Sequence, residues 1–415
     1  MRILVVSQYF WPENFRINDL VAEWCQRGHE VTVLTGYPNY PSGKVFPEFH
    51  ENPGAYSSYD SARVVRVPLL PRGSGAVRLL LNYASFALSA ACLGAWRLRG
   101  EAYDVIFVFE PSPITVGLPT ALLRWLKRSP LVFWVLDLWP ETLEAVGVVK
   151  SPKILKLVGY VVSFIYNRCD LVLAQSRSFV PAIRKHCDPR TWVEYFPSWS
   201  DSTFDFSSVE PASEVPAGDR FFNVMFAGNI GDAQDFPAIL DAAETLKYQK
   251  NIRWLIVGDG RAADYVRSEV AARGLADCFL MLGRYPVERM PSFYVHADAL
   301  LVSLKDTPIF AMTIPGKLQS YLASGIPVLA MLNGEGAKIV SGSRSGLSCP
   351  AGNGKALAAA IMELSAMPPG ELSKMGARGL ALSRTEFDRN ILITKLLAWF
   401  DELATNNKCK LGLNR

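Results

Sequence analysis

Residues 310–331 read FAMTIPGKLQSYLASGIPVLAM, and the fold of the whole chain follows from how this stretch is parsed. Thr313-Ile314-Pro315-Gly316 is a turn, Lys317 to Ser324 an amphipathic run, Gly325 a helix stop and Pro327-Val328-Leu329-Ala330 an apolar strand. That order of loop, short helix and buried strand is the repeating unit of an α/β sheet. The start of the helix offers unpaired backbone N–H groups and the positive end of a dipole, with Lys317 in the first turn. An anion is the natural ligand there. The plain alternative is an αβ unit with an incidental lysine.

Upstream, the same punctuation repeats. Phe221 to Ala227 runs into Gly228-Asn229-Ile230-Gly231, Ile252 to Val257 into Gly258-Asp259-Gly260-Arg261, and Phe279 to Leu282 into Gly283-Arg284-Tyr285. Ala299 to Ser303 completes a parallel set, and three glycine turns at strand ends let backbone approach a nucleotide.

The first half starts with a strand from Arg2 to Ser7, a loop through Asn14 and Arg16, a helix to Arg27 and a strand from Glu30 to Thr35. Open α/β sheets hold ligands at the carboxyl ends of such strands. No Gly-x-Gly-x-x-Gly follows the first strand, which argues against a dinucleotide. Asn14 and the tyrosine-bearing loop around Tyr37 read as an acceptor rim or as simple connections. Two further strands end in carboxylates: Asp104 to Phe109 in Glu110, and Leu131 to Val135 in a run holding Asp137 and Glu141. Carboxylates so placed can act on a hydroxyl nucleophile or position a sugar; capping a helix is the competing role.

A chain of 415 residues, half of them apolar, can bury two ordinary cores. The expected division is residues 1–198, a linker at 199–218 dense in Ser, Pro, Asp and Glu, a second domain at 219–385 and a closing helix at 386–405. Residues 1–198 carry 21 Lys and Arg against 16 Asp and Glu, and the remainder 22 against 23. This bias suits an anionic surface and is too mild for nucleic acid. Seven scattered cysteines without paired spacing read as reduced thiols of a cytoplasmic protein, and Met1 to Val6 as a strand rather than a signal peptide. No Asp-x-Asp motif suggests a metal, so neither a cofactor nor an obligatory metal ion is expected. Residues 79–96 contain no charge and are bracketed by arginines. A spanning helix is disfavoured, because the strand that follows belongs to the same sheet as those before it. A buried core helix and a helix lying in the membrane interface remain, and Asn82, Tyr83, Ser85 and Ser89 argue against a sealed core.

Pro315, Lys317, Tyr321, Leu322 and Ala323, followed by Gly325-Ile326-Pro327-Val328, together with the succession of glycine turns, resemble the retaining nucleotide-sugar glycosyltransferases of family 4. The resemblance covers nearly the whole chain. It implies the α/β GT-B fold: two Rossmann-like domains facing across a cleft, with a C-terminal helix crossing back to the first. Two glutamates of the commonest family motif are replaced here by Met312 and Ser320, and a basic pair after the first strand of the second domain is absent. The resemblance implies a UDP-sugar donor held by Arg16, Gly228, Asn229, Gly258, Gly260, Arg261, Arg284, Tyr285, Thr313, Ile314, Gln319 and Ser320. Asp137, Glu141 and Lys317 are the implied catalytic groups, with Glu110, Asn14 and Tyr37 on the acceptor side. Among such enzymes the closer likeness is to O-antigen and capsule transferases of N-acetylated deoxyamino sugars such as N-acetylfucosamine. These use a lipid-linked saccharide acceptor, which implies a peripheral position on the inner face of the cell membrane. The rival readings are a nucleotide-sugar 2-epimerase of the same fold and a non-catalytic nucleotide-sugar-binding subunit.

Overall fold

The computed structural model describes residues 1–73, 75–145, 147, 149, 151–200, 209–216 and 221–412. They form two compact units: residues up to Phe196 together with those from Ile393 onward, and Pro197–Leu392.

The first unit is built on eight strands: β1 (Arg2–Val6), β2 (Glu30–Gly36), β3 (Ser58–Tyr59), β4 (Ala62–Val67), β5 (Val105–Glu110), β6 (Leu131–Val135), β7 (Leu171–Ala174) and β8 (Trp192–Tyr195). Their order is β3-β4-β2-β1-β5-β6-β7-β8, parallel except for the short β3–β4 hairpin. Ile3 sits between Val31 of β2 and Val105 of β5, so the strand order reverses beside β1. β5 and β6 are buried along their whole length, as expected of parallel strands covered on both faces.

The last helix, Arg389–Lys410, completes this unit's core. Phe400 is fully buried, with ring centroids 5.6 Å from Trp24 and 5.7 Å from Phe107. Trp399 meets Trp192 and Phe196 at 6.0 and 6.1 Å, and Lys408 pairs with Asp104 at 2.9 Å.

The second unit has six parallel strands: β9 (Phe222–Ala227), β10 (Ile252–Val257), β11 (Phe279–Gly283), β12 (Ala299–Ser303), β13 (Val328–Met331) and β14 (Gly346–Cys349). Their order, β11-β10-β9-β12-β13-β14, is that of a Rossmann sheet with its switch between β9 and β12. Phe226, Phe236, Trp254 and Leu301 lie in its core.

Two sequence expectations change in detail. Of the linker stretch, residues 201–208 and 217–218 lie outside the described residues, whereas 209–216 is no loose tether. Ala212 and Val215 are buried, Ala212 N–H donates to Ser292 O at 2.8 Å, and Glu214 forms a two-pronged pair with Arg289. The apolar helix runs from Ala76 to Arg97, interrupted by a π-turn at Ala90–Gly94 that brings Gly94 against Leu34. Its polar residues face inward. Asn82 is fully buried, accepting from Gln8 Nε2 (2.7 Å) and donating to Leu70 O (2.6 Å); Ser85 Oγ accepts from Leu70 N–H, and Ser89 Oγ donates to Pro68 O. Val77, Leu80, Leu81, Leu88, Leu93 and Trp96 are exposed. The polar side chains therefore tie the helix to the sheet instead of marking a wet face, and its oily face is the outer one.

Candidate active site

Lys317 stands in the first turn of helix Gly316–Ser324, above the switch point of the second sheet. Its ammonium donates to Gln234 Oε1 at 2.6 Å and lies 3.8 Å from the centroid of Phe226. Among the described residues it has no carboxylate partner. Burial therefore pulls its pKa down from 10.5 to about 7. One turn on, the buried Tyr321 hydroxyl accepts from Ala227 N–H (2.9 Å) and donates to Ala227 O (3.0 Å), which fixes the helix against the end of β9. Residues i and i+4 share a helix face, so Tyr321 sets where Lys317 points. The loop after β12 closes the other side: Ser303 Oγ donates to Gln234 O at 2.6 Å and Lys305 N–H to Ala233 O at 2.9 Å.

The glycine turns have a more local reason than nucleotide approach. Gly228 (φ +137°) leaves the space that the Lys317 stem fills, and a Cβ on Gly258 (φ +147°) would overlap Gly228 O. A Cβ on Gly260 would likewise overlap Ile230 O. Gly228 N–H donates to Val257 O at 2.8 Å and Gly258 N–H to Gly283 O at 2.7 Å, so each turn rests on the next. The glycines stack the strand ends and open a slot for the lysine.

The structure brings together Gly228, Gly258, Gly260, Gln234 and Lys317. Asn229 folds against Gly260 and Gly231. Arg261 and Arg284 are exposed, and Tyr285 rests on Phe293 at 4.7 Å between ring centroids. Thr313 Oγ1 donates to Ile309 O at 2.8 Å and Ile314 is buried, so these two side chains shape the turn. Gln319 is buried, its Nε2 donating to Ser198 O at 3.0 Å while Oε1 has no partner; Ser320 is half-buried.

In the first unit, Glu110 ends β5 with no exposed surface. Its Oε2 accepts Asp137 N–H at 3.4 Å and its Oε1 has no partner. Burial first, and the Asp137 carboxylate second, hold its pKa well above the carboxylate range. Asp137 accepts from Trp139 Nε1 (3.0 Å) and Thr142 Oγ1 (2.6 Å). Glu141 opens helix Glu141–Ala145 with Oε2 buried and unpartnered. Arg16 opens helix Arg16–Gln26 at 4.0 Å from Asp19, Asn14 is exposed, and Tyr37 packs on Phe49 at 4.9 Å.

Glu13 is an organising residue that sequence reasoning missed. Its buried carboxylate accepts the N–H groups of Phe10 (3.1 Å), Asn39 (2.8 Å) and Tyr40 (2.7 Å), joining the loops after β1 and β2. Burial outweighs those bonds and raises its pKa to about 7. Nothing local marks it, because two of its three partners come from a loop two elements further along the chain.

Two Rossmann-like units, the second with a cation and a helix N-terminus at its switch point, define a GT-B glycosyltransferase fold. The family model described as "Glycosyl transferase 4-like domain" matches residues 14–199, and "Glycosyl transferases group 1" matches residues 222–367. The chain belongs to glycosyltransferase family 4. It is similar to the putative colanic acid biosynthesis glycosyl transferase WcaI of Escherichia coli K12, at 26% identity over 78% of this chain and 82% of that protein. It is also similar to the amylovoran biosynthesis glycosyltransferase AmsK of Erwinia amylovora, at 25% identity over 44% of this chain and 45% of the relative. Among solved structures, HepE of Anabaena with UDP and glucose aligns at TM-score 0.66 and 16% identity, covering 97% of this chain and 100% of its own. Sucrose-phosphate synthase of Thermosynechococcus elongatus aligns at 0.69 and 16%, covering 98% and 99%. At these identities the solved structures establish the fold.

Proposed function

We propose that this glycosyltransferase moves a sugar from a UDP-sugar to a polyprenyl-diphosphate-linked saccharide during synthesis of a bacterial surface polysaccharide, with retention of configuration. The observation that carries this reading is Lys317, a largely enclosed cation with no counter-charge among the described residues, at the amino end of a helix. Charge develops on the diphosphate as the glycosidic bond breaks, and a preorganised cation there stabilises it without an obligatory metal ion. The polysaccharide assignments of WcaI and AmsK and the UDP held by HepE support the substrate classes. An N-acetylated deoxyamino hexose such as N-acetylfucosamine is the sugar of choice in this reading. The test is transfer from a panel of UDP-N-acetylamino sugars to a short polyprenyl-diphosphate N-acetylglucosamine, with and without EDTA. A product that survives EDTA is expected. Epimerised donor without acceptor, or tight donor binding without product, would overturn the reading.

Peripheral attachment to the inner face of the membrane belongs to the same reading. Helix Gly117–Lys127 packs against both helix Ala76–Arg97 and helix Pro152–Tyr166. The three share exposed apolar groups: Leu80, Leu88 and Trp96, Trp125 at 74% exposure, and Leu157 and Tyr160. Arg99, Arg128, Lys153 and Lys156 are exposed on the same helices or at their ends. An oily platform with accompanying cations fits anionic lipid head groups. Flotation with anionic vesicles should carry the wild type to the top of the gradient. A variant with Leu80→Asp, Trp125→Asp and Leu157→Asp should stay below, and equal flotation of the two would refute the platform.

A further inference from the structure

Arg72 leads into the apolar helix and has no ion-pair partner among the described residues. Its N–H donates to Asn39 Oδ1 at 3.1 Å, which holds it beside the loop after β2. Its guanidinium carbon lies 5.5 Å from the Tyr40 ring centroid, and its charge bears on the hydroxyls of Tyr9 and Tyr83. Those tyrosines come from the loops after β1 and β2 and from the inner face of helix Ala76–Arg97, so the arginine stands at the ligand-bearing end of the first sheet. Tyr9 and Tyr40 pack at 5.6 Å, and Tyr83 meets Trp139 at 6.4 Å between centroids. Arg78 adds a second cation, its side chain lying over Gly73, where an added Cβ would be 3.2 Å from Arg78 Cδ. From Arg78 onward the exposed face of the helix is apolar through Leu80, Leu81 and Leu88.

A planar cation with a second beside it, aromatic faces around it and an oily ridge leading away match an amphiphile with a phosphorylated head. We propose that Arg72, assisted by Arg78, binds the diphosphate of a long-chain isoprenyl acceptor. The exposed Tyr40 ring, backed by the buried Tyr9, meets the attached sugar, and the lipid chain follows the outer face of helix Ala76–Arg97. Arginine suits this role because its fork of N–H donors grips phosphate oxygens in pairs. The inference rests on the lipid-linked acceptor proposed above, and it names the residue that reads the lipid's head.

Binding to phosphatidylcholine nanodiscs tests it without donor or turnover. Discs containing an isoprenyl diphosphate should bind the wild type about tenfold more tightly than discs without it, the worth of one strong charge-assisted contact. Arg72→Ala should erase that preference while leaving UDP binding by calorimetry unchanged. Should Arg72→Ala not fold by circular dichroism, Arg72→Gln, which keeps the stem and a donor, takes its place with the same expectation. A preference that survives in the folded variant, or one reproduced by the same fraction of phosphatidylglycerol, would overturn the proposal, the second result pointing to a generic anionic surface. A wild type that prefers the diphosphate discs yet transfers no sugar leaves the anchor standing and removes the proposed reaction; transfer with an Arg72-independent preference does the reverse.

Discussion

Replacing Lys317 by alanine is expected to cut turnover by about 10²–10³-fold at saturating donor, the usual cost of deleting one preorganised electrostatic group aimed at developing charge. The ammonium is held by Gln234 Oε1 and the Phe226 ring, and Tyr321 fixes the helix beneath it, so the substitution removes a charge without removing its frame. Turnover within about threefold of wild type would remove Lys317 from the chemistry, since so small a change is well under one charge-assisted contact. The same residue predicts a proton linkage. Burial lowers its pKa to about 7, whereas in the unfolded chain it sits near the ordinary lysine value. Between those limits the unfolded state binds more protons, so the contribution of Lys317 to folding stability rises with pH through this window and levels off below it. A bound diphosphate favours the charged form and raises the pKa again. UDP binding slightly above neutral pH should therefore take up a proton, visible as a buffer-dependent heat in calorimetry and absent in Lys317→Ala.

Gly258→Ala is expected to be among the most damaging single changes in the second unit that leave every side chain in place. The new methyl would overlap Gly228 O, and φ of +147° is a conformation that side-chain-bearing residues rarely adopt. Relief requires the β10 turn to move off the β9 turn, which takes Gly228 away from the Lys317 stem. A loss of about 3 kcal/mol or more in urea-induced unfolding follows from strain of this kind, with UDP binding lost at temperatures where the variant is still folded. A variant as stable as wild type would show that the stacked turns yield easily. Gly100→Ala is the matched control: φ there is also positive, at +77°, but no atom lies within 4 Å of the added methyl.

What could be read from the residues was whatever is encoded locally. Apolar runs ending in glycine marked β9, β10 and β11, and the turn before Lys317 marked the start of its helix, because a strand end and a helix start are each written within a few neighbouring residues. The positions of Glu13 and Arg72, and the role of Tyr321 within the motif around Lys317, were illegible for the opposite reason. Tyr321 acts on Ala227, 94 residues away, and Arg72 is placed by Asn39, 33 residues away. The apolar helix was read correctly as a feature and for the wrong reason. Asn82, Ser85 and Ser89 argued against a sealed core because their partners, backbone and side-chain groups of neighbouring elements, are invisible in a linear pattern.

The closing helix has a consequence for how the molecule is made. Phe400 fills the core of the first unit beside Trp24 and Phe107, and the half-buried Trp399 covers Trp192, yet both are synthesised after the whole of the second unit. The segment 197–392 is contiguous and can close its core as it leaves the ribosome. The earlier segment cannot, and must emerge first, wait with an aromatic surface uncovered, and finish last. Nascent chains stalled before residue 393 should therefore be the ones that chaperones hold longest.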